Sequence, residues 1–125
     1  MVGYGEVPTD KGLVLQDGSG YDGVSLAGFA ASSSQLVFFS TVQETPAGFP
    51  ALPVIKVASN SRTYEAMKDD MDVNAGSLVE GKSLDGLRAE MIDLMIRVIN
   101  GEKTKAEVNW IEIFTFMTVH TPFEI

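Results

Sequence analysis

The sequence predicts an α/β fold: a single three-layer domain with a small, mostly parallel sheet flanked by helices. Three observations carry that expectation. Two short runs, residues 35–41 and 53–60, are almost wholly apolar and rich in β-branched or aromatic residues, like strands buried on both faces. A glycine-rich turn and a stretch of small apolar residues precede the first run, giving the strand, turn, helix, strand rhythm of an α/β unit. Further on, residues 84–100 carry an apolar stripe at helical spacing.

The elements follow in order. Residues 3–10, with glycine, proline and acidic side chains, read as an irregular lead-in, and residues 11–16 as a short strand. Gly18, Gly20 and Gly23 turn the chain into a helix over 24–34, capped by Asp22 or Ser25 and apolar at Leu26, Ala27, Phe29, Ala30 and Ala31. Between the two apolar runs lie eleven residues, 42–52, with two prolines and no helical pattern. A parallel crossover normally takes a dozen or more residues and a helix. Either the loop hides a helical turn or its strands are not direct neighbours. Ser61 caps a short helix carrying Tyr64 and Met67, and residues 69–76 form an acidic connection. The stripe of Leu84, Leu87, Met91, Leu94, Met95, Val98 and Ile99 makes the clearest helix, with Ser83 as cap, Asp85 at the positive end of its dipole and Asn100-Gly101 as its stop. Residues 102–107 read as a polar turn or short helix, and residues 108–125 as a terminal strand and tail. Residues 1–125 make one domain.

Composition narrows the function. The chain is 45% apolar and 21% charged, enough to bury an ordinary core. A formal charge of -8 and a pI of about 4.4 repel phosphate backbones and anionic bilayers, which argues against nucleic acid and membrane as partners. Cysteine is absent, so disulfides, thiolate nucleophiles and cysteine-based metal sites are excluded. With no leader pattern and no apolar run of membrane-spanning length, the expected location is cytoplasmic.

Candidate chemistry concentrates between the two apolar runs. Ligands of open α/β sheets sit at the carboxyl ends of the strands, and both runs end in small hydroxyl or amide residues. Elsewhere the bland readings are stronger. His120 has only Thr118, Thr121 and Glu124 near it in sequence, and a lone histidine is more often structural or exposed than a base or ligand. Asp69, Asp70 and Asp72 lack calcium-loop spacing and read as a solvated turn whose carboxylates point outward. Gly18-Ser19-Gly20 lacks a phosphate-loop lysine and reads as a tight turn. Lys56, inside an apolar strand, fits Schiff-base or general-base chemistry. It also fits the commoner arrangement, an edge strand with lysine facing solvent.

Five segments in order, Gly20-Tyr21-Asp22, Phe39-Ser40-Thr41, Thr45-Pro46-x-Gly48, Pro53-Val54-Ile55-Lys56-Val57-x-x-Asn60 and Asp72-Val73-Asn74-Ala75-Gly76, resemble the carboxyl-terminal region of the altronate/galactarate dehydratase family. That family includes the large subunit of sulfolactate sulfo-lyase, and the resemblance covers about residues 3–107. It implies a hydro-lyase parent that removes a proton next to a carboxylate and then expels water from a sugar acid. It also implies that the base and a divalent metal, commonly iron, belong to an upstream catalytic domain or subunit, with no cofactor held by this segment. The implied substrate-binding residues are Ser40, Thr41, Gln43, Thr45, Gly48, Asn60 and Asn74. At the central loop the family reads Gly-Arg-Gly where this chain has Val42-Gln43-Glu44, so an anion-pairing arginine is replaced by a neutral amide beside a carboxylate. The family's Met-Asp-Thr-Pro before Gly-Tyr-Asp is likewise altered, at residues 15–19. The isolated chain is expected to be inactive. The alternative is a non-catalytic small-molecule-binding or subunit-assembly domain, with the missing domain or a second copy, as a homo-oligomer, for partner.

Overall fold

The computed structural model describes residues 1–42, 45–113 and 115. Their elements, in chain order, are α1 (Asp22–Ala31), β1 (Val37–Thr41), β2 (Val54–Ala58), α2 (Ser61–Ala66), β3 (Val73–Asn74), a 3-10 turn (Ala75–Leu78), α3 (Leu84–Ile99) and α4 (Lys105–Val108). The three strands are all parallel, in the order β1-β2-β3. The α/β fold with a small parallel sheet between helices is therefore what the sequence implied.

The two strands of the opening pattern are direct neighbours, with Val37 opposite Val54 and Thr41 opposite Ala58. Among the described residues of their connection there is no helix. Ala47, Phe49 and Leu52 take the helix's place by burying themselves against the sheet. Phe49 and Leu52 join Leu26 of α1 with Val37 and Val54 in one core cluster, packed by Ala27, Phe29, Ala30 and Phe39. The other face of the sheet carries Ile55, Val57 and Val73 against Leu87 and Val98 of α3, with Met91, Leu94 and Met95 alongside. Strand alternation produces this division, because odd and even positions of β2 point to opposite faces and both faces are covered. β2 is buried at all five positions, as a central strand should be.

Helix ends follow local chemistry. Ser83 caps α3 by accepting from the Gly86 N–H at 3.1 Å, as expected. At α2 the cap is Asn60, whose Oδ1 accepts from the Thr63 N–H at 2.8 Å, and Ser61 is the first helical residue. Thr104 and Glu107 form a reciprocal capping box at α4. The segment 11–16 expected as a strand pairs only through one bridge, Val2 with Gln16. It lies along α1 instead, where Gln16 Nε2 donates to the Gly28 carbonyl at 3.2 Å; in the lead-in, Tyr4 donates to the Val24 carbonyl at 2.7 Å, and its ring would collide with any Cβ at Gly28. The expected terminal strand contributes one bridge, Gly48 with Glu112; residues 116–125, His120 included, lie outside the described residues.

Candidate functional site

The segments that carry the resemblance fall into two groups, one at the carboxyl edge of the sheet and one at the start of α1. Asp72 sits one residue before β3 and faces inward, contrary to the outward-facing turn expected of it. Its Oδ2 accepts from the Lys56 N–H at 2.7 Å and its Oδ1 from the Lys105 N–H at 3.0 Å. Its own N–H donates to the Lys56 carbonyl at 2.9 Å. One carboxylate thus extends the β2–β3 pairing and ties α4 to the sheet. Burial raises the Asp72 carboxyl above the usual range, against the two backbone donors and the Lys105 and Lys56 ammonium groups that pull it down.

At the strand ends, Thr41 accepts at its carbonyl from the Ser59 N–H at 3.1 Å. The next carbonyl, Val42, receives two side-chain donors: Thr63 Oγ1 at 3.0 Å and Asn60 Nδ2 at 3.3 Å. Asn74 pairs with Ser61, amide to hydroxyl, at 3.1 Å. Gly76 lets this happen, because a Cβ there would lie 2.2 Å from the Ser61 nitrogen and 2.5 Å from Asn60 backbone atoms. Ser40, Thr41, Asn60 and Asn74 are therefore gathered at one edge, around the start of the central loop.

Thr45 and Gly48 go elsewhere. Thr45 lines a cleft of about 410 Å³ with Gly20, Tyr21, Asp22, Gly23, Val24, Ile113 and Thr115. Gly48 is buried against Ala106, donates to the Ile111 carbonyl at 2.7 Å and accepts from the Ile113 N–H at 3.1 Å. Gln43 and Glu44 lie outside the described residues.

Lys56 overturns the edge-strand expectation. It lies on the central strand, 0% exposed, and its Nζ has no hydrogen-bond partner among the described residues. The amine stands over the Phe39 ring, 4.1 Å from its centroid. Burial lowers its pKa from 10.5 to about 8, opposed by the Asp22 and Asp72 carboxylates. The clue in the sequence was its setting: Ile55 and Val57 flank it in a run read as buried on both faces, and such a run leaves no solvent side for a lysine.

No three His, Asp or Glu groups among the described residues converge as metal ligands do. The donor set described here does not fit the divalent metal implied by the resemblance, and no chemical step is assigned through one.

Comparison with known proteins gives the same picture. The family described as D-galactarate/Altronate dehydratase, C-terminal, matches residues 1–121. Altronate dehydratase of Bacillus subtilis is 38% identical over 107 residues, covering 85% of this chain and 21% of that enzyme. Altronate dehydratase of Escherichia coli is 36% identical over 106 residues, with the same coverage of 85% and 21%. The (2R)-sulfolactate sulfo-lyase subunit beta of Chromohalobacter salexigens is 33% identical over 103 residues, 82% of this chain and 26% of that subunit. The chain thus spans about a fifth to a quarter of the length of these relatives, 21% to 26%.

Proposed function

This chain belongs to the D-galactarate/altronate dehydratase family, as its C-terminal domain, and we propose that it forms one wall of the substrate pocket in a hydro-lyase acting on a hydroxy acid. The observation that carries this reading is the convergence on Val42. Side chains from α2 hold its carbonyl, and Asn74 beside β3 braces Ser61 at the same edge. A long loop anchored this way at the carboxyl edge of a parallel sheet is placed as ligand-contacting loops are.

On this reading the proton next to the substrate carboxylate is taken, and water expelled, by groups in the part of the enzyme this chain does not span. A divalent metal such as iron, if used, binds there. This chain supplies position: Ser40, Thr41, Gln43, Thr45, Gly48, Asn60 and Asn74 border the sugar acid or hold the backbone that does. The test is turnover. The full-length enzyme containing this domain, supplied with a divalent metal, is expected to dehydrate altronate or galactarate, and the 125-residue chain alone to leave them unchanged. A full-length enzyme inert toward hexonates, hexarates and sulfolactate overturns the reading.

A second reading, assembly without catalysis, draws on one feature. Phe38, Leu84, Leu87, Met91, Ile92 and Met95 border an apolar groove of about 370 Å³ between β1 and α3. Restoring Gly-Arg-Gly at residues 42–44 distinguishes the two: tighter hexarate binding by calorimetry supports the pocket, and no change supports assembly.

A further inference from the structure

α3 is apolar around more of its circumference than the sheet covers. Leu87 and Val98 are buried against β2 and β3, while Leu84, Ile92, Ile96 and Ile99 stay 71%, 46%, 50% and 64% exposed. At about 100° per residue these four fall together, beside the buried stripe and away from Glu90, Asp93 and Arg97. A core-facing helix needs an apolar arc of roughly 100°, and that of α3 is about twice as wide. The exposed arc continues into the groove of about 370 Å³ lined by Phe38, which stands beside Ile55 on the face that α3 covers. β1 comes last in the strand order, so among the described residues no further strand extends the sheet past Phe38. A contiguous apolar patch of this kind marks an interaction surface.

Three observations identify its occupant. Arg88 is the charged residue among those lining the groove, and its pairing with Asp85 is largely in water, with the two side chains 72% and 86% exposed. Such a cation at the rim favours a carboxylate on the partner. A second copy would bring another Arg88 and another net charge of -8, which oppose association. In the altronate dehydratases, by contrast, the matched region is 21% of one polypeptide, so most of the enzyme is a partner tethered to it at high effective concentration. We propose that this face is the seat of the remainder of a dehydratase chain, which lays an apolar helix along α3 and presents a carboxylate to Arg88. Positions 92, 96 and 99 repeat at helical spacing and offer a ridge to a helix of the same period. The inference rests on membership of the family and not on the reading of the carboxyl edge as a pocket wall.

The chain has no cysteine, so an introduced thiol reports its own surroundings. Maleimide labelling of Ile92→Cys, resolved by peptide mass spectrometry, is followed in the 125-residue chain and in the full-length enzyme containing this domain. The native full-length enzyme is expected to react at least about tenfold more slowly than the chain, and the two to match in urea. Adding Arg88→Glu to the full-length enzyme is expected to speed its labelling about threefold. Should Ile92→Cys not fold, Ile96→Cys, at a position 50% exposed, takes its place. Equal rates in the two native proteins, or a rate unmoved by Arg88→Glu, overturn the proposal. So does a 125-residue chain that sediments as a dimer with the thiol already protected, which gives the face to a second copy. A protected thiol in a full-length enzyme that dehydrates nothing removes the pocket reading and leaves this docking. A reactive thiol in an active enzyme does the reverse.

Discussion

Lys56 makes the stability of the chain depend on pH in a direction opposite to most ion-paired lysines. Its ammonium is disfavoured in the folded state, with a pKa of about 8 against 10.5 unfolded. Below pH 8 both states are protonated and the folded state bears the whole cost. As pH rises from about 8 to 10.5 the unfolded chain holds the proton longer, so stability rises through that window and then levels. The full difference is on the order of 3 kcal/mol. Urea unfolding of wild type and Lys56→Met across this range, taken as a difference, isolates it. The variant is expected to be the more stable below pH 8 and to lose that advantage by pH 10.5. A flat difference contradicts the assignment. At this scale the sequence was half legible. A lysine between Ile55 and Val57 was visible, but its partner Asp22 is 34 positions away and only folding brings the two within electrostatic reach.

Among the elements, the tightest fit is between the start of α2 and the 3-10 turn. Gly76→Ala forces a Cβ onto Ser61 and Asn60 backbone that cannot yield as a flexible side chain would. We expect a loss at the upper end of the roughly 1–3 kcal/mol typical of overpacking, read by thermal unfolding, with the Asn60–Val42 contact disturbed as well. Wild-type stability in this variant contradicts the packing. On the opposite face, Leu87 is 5% exposed under β2, and Leu87→Ala is expected to cost about 2–5 kcal/mol in chemical denaturation. Ile99→Ala, at a position 64% exposed, is expected to cost under about 0.5 kcal/mol. Periodicity placed α3 within a residue of its observed ends, because a stripe of apolar side chains and a serine cap are local signals. It did not separate Leu87 from Ile99, since both fall on the stripe; Val98, one residue before Ile99, is buried, so the direction each side chain points around the helix decides which is covered. The strand-like segment 11–16 misled for a related reason: its partner is the amino terminus, through a single bridge, and not the sheet.

The described residues build a parallel sheet with Val42, Asn60 and Asn74 gathered at its carboxyl edge and a separate cleft at the start of α1. The parallel sheet followed from two apolar runs. The helix-free crossover was unforeseen, because nothing in residues 42–52 announces that Phe49 and Leu52 fill the space a helix would occupy. Of the five scattered segments, those at the ends of β1 and β2 and at β3 gather at one edge, while residues 20–22 share a cleft with Thr45. Steady-state dehydration of altronate or galactarate by the full-length enzyme, wild type against Thr45→Val, tests the central claim most directly. Valine keeps the shape of Thr45 and removes its hydroxyl from the cleft beside Asp22. The account predicts turnover by wild type and a drop in kcat/KM of about fivefold or more, with unfolding temperature unchanged. Equal kcat/KM for the two proteins would contradict it.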